Sequence, residues 1–345
     1  MDISYVGSKG THLFINEDAN PLVRPELRIT PAGVTTGLTG RLDNLQGART
    51  VRTNGGDSNY NSGQIEVRRR FADNFLITGS YTFSKLINNA DEVFGVGLGS
   101  TNGSFSAIPA VFGGQGNDRG LSVDDRTHRA SLTYVVESPF FRKQQGALGR
   151  LFGGFQLSGV TSYESGVPFT VTNGFDADGI GGTADRPTLN PNGQRGVRAV
   201  PIVDANNFIL RYVNPEIVTA RNAAGAPTEF ATIDPNTAQF IVNPAYVAGL
   251  PGSVIRVGNL GRNTERTPSV FNTDLTLLKR TRISETVFFE ARAELFNAFN
   301  HPSFPGTGLI STGANALTQG FFLNPDTSNT SGGGRVVRYQ VKLVF

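Results

Sequence analysis

The chain has 345 residues and a formal net charge of +3, with no Cys and no Trp against 42 Gly and 25 Phe. Without Cys there is no disulfide or thiolate chemistry, and the scattered charges form no basic patch that would argue for nucleic acid. Hydrophobic content is 38%, below the globular norm of about 45–50%. No apolar run reaches the roughly 18 residues a membrane helix needs, although such hydropathy does not exclude a membrane barrel, where only every second strand residue faces lipid.

Met1 to Val6 alternates, with Ile3 and Tyr5 on one parity and Asp2 and Ser4 on the other, and predicts a short first strand. The same opening has neither the basic nor the apolar region of a signal peptide. About fifty residues without a clear period follow, over 10–58, and read as a long loop. Asn59 to Phe71 predicts a second strand. Gly63, Ile65, Val67 and Phe71 lie on one face, and Gln64, Glu66, Arg68 and Arg70 on the other. Arg69 falls on the apolar face beside the turn, where a long side chain can snorkel. After the turn Ala72-Asp73-Asn74, Phe75 to Lys85 alternates again, which makes a hairpin.

Residues 86–124 form a second long loop. A fourth strand follows with Ala130, Leu132, Tyr134 and Val136 on one parity, then a connection from Ser138 to Gly153 carrying Arg142, Lys143 and Arg150. The fifth strand places Phe155, Leu157, Gly159 and Tyr163 against Gln156, Ser158, Ser162 and Glu164. The longest gap, 174–268, holds half of the 18 prolines and is expected to contain some short local strands or turns. The sixth strand sets Phe271, Leu275 and Leu277 against Asn272, Asp274 and Thr276 and ends at Lys279. The seventh sets Val287, Phe289, Ala291, Ala293 and Leu295 against Glu290, Arg292 and Glu294. Glu285 to Phe299 also has helix propensity, but its regular alternation favours a strand. A last loop spans 300–334. The chain then closes on Arg335 to Phe345, with Val337, Tyr339, Val341, Leu343 and Phe345 on one face and Arg338, Gln340 and Lys342 on the other.

Eight strands result, and the connections alternate long, short, long, short, long, short, long. Short turns at one end and long loops at the other, with a terminal aromatic on an eleven-residue last strand, are features of outer-membrane barrels. A soluble sheet with one wet face explains the charges equally well, but neither the loop alternation nor the terminal Phe. The reading is therefore an all-β fold: an antiparallel transmembrane β-barrel wall whose apolar face meets outer-membrane lipid. Gln64, Glu66, Arg68, Asp274, Glu290, Arg292 and Glu294 are the candidates for a polar lumen. Tyr339, Val341, Leu343 and Phe345 are the candidate signal to the barrel-assembly machinery.

Four stretches carry a family resemblance. They are Tyr5-Val6-Gly7-Ser8-Lys9-Gly10-Thr11-His12-Leu13, the hairpin from Asn59 through Arg69-Arg70-Phe71 to Gly79-Ser80-Tyr81-Thr82-Phe83-Ser84-Lys85, Gly154 through Ser165-Gly166-Val167-Pro168-Phe169, and Arg292 through Asn297-Ala298-Phe299-Asn300-His301-Pro302-Ser303-Phe304. Together they resemble the C-terminal barrel portion of TonB-dependent outer-membrane transporters of the Oar-like group. Phe155 stands where that group leads one to expect Trp. The resemblance implies a 22-stranded barrel with an internal plug, of which this chain supplies about the last eight strands. The plug, the TonB-contacting segment, the signal peptide and any carboxypeptidase-regulatory-like domain would lie outside these residues, so the TonB system would be met only through those parts. It also implies uptake of a solute that the residues do not identify.

No enzymatic or cofactor site is expected. His12, His128 and His301 have no metal spacing, and His301, before a Pro, reads as a solvated turn. Asp176-Ala177-Asp178-Gly179 opens like a calcium loop, but Pro187 stands where the closing Glu belongs. Asp118-Arg119 and Asp124-Asp125-Arg126 read as rim ion pairs rather than acids or bases. No Walker loop, Gly-x-Ser-x-Gly elbow or dinucleotide fingerprint is present. The alternative reading is a secreted or surface β-rich adhesion protein, which predicts solubility without detergent.

Overall fold

A computed structural model describes residues 1–21, 41–43, 45–47, 49–72, 74–90, 114–174, 177–178, 185–205, 208–224, 227–246, 256–303, 317 and 334–345. In chain order the elements are β1 (Asp2–Asp18), β2 (Thr50–Ala72), β3 (Phe75–Asn88), β4 (Gly120–Leu121), β5 (His128–Glu137), α1 (Gly146–Phe152), β6 (Phe155–Glu164), β7 (Pro168–Phe169), β8 (Thr188–Leu189) and β9 (Gln194–Val203). β10 (Ile209–Arg221), β11 (Pro227–Thr232), β12 (Ala238–Ile241), β13 (Glu265–Arg266), β14 (Val270–Arg282), β15 (Phe288–Phe296) and β16 (Val336–Val344) complete them.

One large sheet runs β1-β2-β3-β5-β6-β14-β15-β16, every neighbouring pair antiparallel, with β4 paired beside the end of β3. These eight path strands are the eight read from the alternation, and Glu285 to Phe299 contains a strand rather than a helix. Among the described residues the sheet is an open wall with β1 and β16 at its edges.

Register turns eight separate alternations into two coherent faces. One row across the wall reads Ile3, Ile65, Tyr81, Ala130, Tyr163, Phe271. Another reads Ile77, Tyr134, Gly159, Leu275, Leu295, Val337. The rows between them belong to the other face, as in Glu66, Ser80, Ser131, Ser162, Asn272. A slip of one residue in any pair would flip that strand's apolar set. Arg69, on the apolar face, lies with its guanidinium 5.6 Å from the centre of the Phe75 ring, next to the turn.

Gly159 shows how tightly one row packs. A Cβ there would stand 2.6 Å from Tyr134 Oη and 2.9 Å from Leu275 Cδ2, so the aromatic ring leans over the bare backbone. Gly159→Val should lower the urea midpoint of the detergent-folded wall, by about 1–3 kcal/mol of stability. Gly63→Ala, with no atom within 4 Å of its added Cβ, should leave the midpoint in place.

The loop boundaries differ from the sequence expectation at two places. Residues 10–18 and 50–58, expected within the loop 10–58, prolong β1 and β2 into a long two-stranded extension. Register shifts between Gly10 and Leu13 and between Leu13 and Ile15 scramble side-chain parity there, so no period survives in the sequence. In the loop 86–124, β3 continues to Asn88 and Gly120–Leu121 pairs back on it. The stretch 174–268 holds the expected local strands, two of them longer than expected (β9 and β10), joined as a five-stranded sheet of order β11-β10-β9-β12-β8, and β13 pairs with β7. Most of the loop 300–334 lies outside the described residues, as do Asp73 of the first short turn and Asp176 and Gly179 of the calcium-like stretch. The connection from Ser138 to Gly153, expected as one of the short ones, contains α1.

The main cluster of buried apolar side chains lies outside the large sheet. Phe169, Val171, Phe240, Val242, Leu260 and Leu317 cluster in the segments that join β6 to β14 and follow β15. Among the described residues the apolar face of the wall is open, most of all on the edge strands, where Tyr5 is 71% and Tyr339 78% exposed.

Candidate functional site

Two regions carry the polar chemistry: the polar face of the wall and the end of the sheet where the long connections lie. On the polar face, β14, β15 and β16 set charges side by side. Arg280, Glu290 and Lys342 form one row, Leu278, Arg292 and Gln340 the next, and Thr276, Glu294 and Arg338 the third. Arg338 Nε donates to Glu294 Oε2 at 2.6 Å, and Arg292 Nη1 lies 3.5 Å from Glu294 Oε1. Arg280 Nε lies 3.3 Å from Glu290 Oε1. A shallow polar depression of ≈ 180 Å³ opens between Leu278, Glu290, Arg292, Gln340 and Lys342. These groups are half-buried or exposed, so each pair adds little stability, about 0.2–1 kcal/mol. Their effect is to line a surface with alternating fixed charge.

The structure brings Glu290, Arg292 and Glu294 together, and places Gln64, Glu66 and Arg68 on the same face but five strands away on β2. There Arg68 Nη2 donates to Glu66 Oε1 at 2.6 Å, and Gln64 Nε2 to Ser62 Oγ at 3.3 Å. Asp274 has a local duty. Its Oδ1 accepts from the Asn297 backbone N–H at 2.8 Å and from Asn272 Nδ2 at 3.2 Å. Asn297, in the left-handed region at φ 49°, then holds the His301 N–H and carbonyl with its own amide. His301, read as a solvated turn residue, sits in that turn edge-on to Phe271, 5.9 Å between ring centres.

The end of the sheet where the long connections lie is fastened by a polar knot. The Asp125 side chain is fully buried and accepts from the Leu86 N–H at 2.6 Å, from Thr127 Oγ1 at 3.0 Å and from Arg266 Nη2. Arg266 also donates to the Gly166 carbonyl at 3.0 Å. Arg126 Nε and Arg129 Nη2 hold the two oxygens of Glu164 at 2.7 and 2.8 Å. Asp118 pairs with Arg186, both buried, and Arg119 Nη1 lies 2.6 Å from Asp57 Oδ1. Asn263 donates to the Leu121 carbonyl at 2.7 Å and exchanges hydrogen bonds with Thr170. Burial pushes the Glu265 carboxyl up, against the opposing pull of Arg195. Asp118, Arg119, Asp125 and Arg126 are thus structural ion pairs, as their sequence suggested. Arg186 and Arg266, which pair with Asp118 and Asp125 from a distant segment, and Arg262 beside them had no sequence signal beyond charge in a proline-rich stretch. Arg262 Nη2 donates to the Asn88 carbonyl at 2.6 Å across 174 residues.

No group of three or more His, Asp or Glu among the described residues could hold a metal. No described helix is long and apolar enough to cross a membrane. The wall is nonetheless a single layer with one apolar and one charged face, and a lone sheet cannot bury its apolar face against itself. An exposed apolar area this wide marks a surface made for lipid or protein. Strands that alternate apolar-out and polar-in, joined by alternating short and long connections, define a membrane β-barrel wall.

The comparison with protein families agrees. The chain belongs to the outer membrane β-barrel domain family, whose model matches residues 1–336. Its all-β antiparallel wall is part of an outer-membrane barrel, and the protein is located in the outer membrane. The outer membrane transporter YddB from Escherichia coli is similar at a TM-score of 0.36 and 10% identity, over 99% of this chain and 30% of that one. The chain therefore spans less than a third of that transporter's length. No curated protein matches the sequence.

Proposed function

We propose that this chain is the wall and outer loops of a TonB-dependent outer-membrane transporter of the Oar-like group, which takes up a solute. The observation that carries this reading is the two-faced wall: an open apolar face on one side and the Glu290–Arg292–Glu294 charge rows on the other. In this reading the apolar face meets lipid. Gln64, Glu66, Arg68, Asp274, Glu290, Arg292 and Glu294 face the lumen. The short turns lie on the periplasmic side and the knotted end lies outside, where the long connections hold the solute. Tyr339, Val341 and Leu343 on β16, with Phe345 just after it, present the apolar terminal strand to the assembly machinery.

The test compares cells that carry the protein in its natural context with cells that lack it. Medium solutes are followed by mass spectrometry, with the energy-coupling protein present and deleted. Depletion of a solute that needs both proteins is expected. Depletion indifferent to the coupling protein would remove TonB dependence, and no difference between the cells would sink transport.

A second reading, a surface binding protein without transport, draws on the separate core of Phe169, Val171, Phe240, Val242, Leu260 and Leu317. It gives the loop end a folded body fit to bind a partner. It expects a solute-depletion profile unchanged by the protein.

A further inference from the structure

The connection between β5 and β6 is more elaborate than joining two adjacent strands requires. Sixteen residues, Ser138 to Gly153, hold three cations (Arg142, Lys143 and Arg150) and no carboxylate. Leu148, Leu151 and Phe152 stand at i, i+3 and i+4 of α1, so they share one face. Each is more than half exposed, as are Phe140 and Phe141. Phe141 lies 6.4 Å from Phe152 between ring centres. A loop in water gains nothing from displaying five large apolar side chains together.

The connection is also held in place. Gln144 Nε2 donates to the Arg280 carbonyl and its Oε1 accepts from the Arg282 N–H, both at 2.8 Å. Phe141 is kept in the left-handed region at φ 52°. Gly154 has φ 71°, and a Cβ there would lie 2.1 Å from the Arg280 carbonyl oxygen. The position of α1 follows from Lys279. This residue shares the apolar face with Leu277, and its ammonium caps the last carbonyls of α1, at 2.8 Å from Arg150 O and also on Gly153 O. It sits 4.6 Å from the centre of the Phe155 ring. The end of α1 therefore joins the apolar face of the wall at its short-turn end.

We infer that α1 and Phe140–Lys143 form an interfacial anchor. Its apolar face enters the leaflet at the short-turn end, and Arg142, Lys143 and Arg150 bind the headgroups of anionic phospholipids. The inference rests on the barrel-wall reading. Two observations select a lipid surface over a protein partner: the apolar residues continue the lipid face, and the flanking charge is of one sign. An apolar helix face with flanking cations is the chemistry of interfacial helices, and anionic lipid attracts each nearby cation.

The chain has no Trp, so one introduced Trp is a sole reporter. The full chain carrying Leu151→Trp is folded into vesicles of phosphatidylcholine and phosphatidylglycerol, with Leu343→Trp as the wall control and Phe152→Trp as a second anchor probe. The L151W indole should emit at short wavelength and be quenched more by bromine near the headgroup than by bromine at the chain end. Energy transfer to dansyl-phosphatidylglycerol should exceed transfer to dansyl-phosphatidylcholine, with lipid selectivity of roughly tenfold at low salt. The triple variant Arg142→Gln/Lys143→Gln/Arg150→Gln should lose that preference and keep the bromine quenching. If L151W and F152W stay water-exposed while L343W is quenched by lipid, the anchor fails and the wall stands. If L343W is also water-exposed, both fall. Equal transfer to the two dansyl lipids overturns the headgroup assignment.

Discussion

Val67→Arg should block assembly of the wall, whereas Gln64→Arg, three residues away on the same strand, should be carried with little loss. Val67 lies on the apolar face opposite Gly79 and is 41% exposed. In lipid an Arg near the middle of the apolar band costs ~2–4 kcal/mol, a large part of the total stability of a domain. Leu343→Arg on β16, opposite Phe289, should fail in the same way. Gln64 faces the other side, where its neighbours in the row are Ser4 and Thr82, and Glu66 lies two residues along the strand. A cation there meets polar groups and a carboxylate at little cost. The measurement is the folded fraction in the outer-membrane fraction, read as the heat-sensitive shift in electrophoretic mobility. Equal loss from the two faces would sink the membrane wall and favour a protein that stays soluble without detergent.

Asp125→Ala should unfasten the loop-bearing end without dissolving the wall. The carboxylate is fully buried and answers the Leu86 N–H, Thr127 and Arg266 at once. Its removal strands a guanidinium whose other hydrogen bonds reach Thr127 and the Gly166 carbonyl. Breaking a buried pair by deleting one partner costs 3–5 kcal/mol. Arg266 keeps 28% of its side chain in contact with solvent, which brings the expectation to about 2–4 kcal/mol. Hydrogen exchange should accelerate at Ser165 to Phe169 and at Glu265–Arg266, while β14 and β15 keep their protection. Asp125→Asn retains an acceptor for the Leu86 N–H and should fall between. Asp57→Ala, which removes a pair with Arg119 whose partners are both 43% exposed, should cost no more than about 1 kcal/mol. If Asp125→Ala and Asp57→Ala prove alike, the knot does not hold the loop end.

The wall strands were legible because a two-faced sheet imposes a period of two on every residue it contains. Phe155 to Glu164 shows this, its expected bounds matching β6. Where a bulge breaks the pleat the signal disappears, as it does at Gly10, Leu13 and Ile15. The core at Phe169, Val171, Phe240, Val242, Leu260 and Leu317 was illegible for another reason. Its members come from segments up to 148 residues apart, Phe169 to Leu317, and short irregular strands leave no period to read. Of the polar face, the residues were visible but not their grouping. Asp274, alternating like Glu290 and Glu294, fastens the Asn297 turn.

What the sequence determined by itself is therefore local: which residues alternate, where strands stop, and that cations and carboxylates share the face opposite the Phe, Leu and Val. Period two is a property of one extended backbone and needs no partner. What only the tertiary structure decided is relational. Register between strands set Arg338 beside Glu294, chain reversal over more than a hundred residues brought Arg266 to Asp125, and docking against Lys279 placed α1 on the apolar side of the wall. Those contacts depend on how separate segments meet in space, and a single chain read in order carries no record of that meeting.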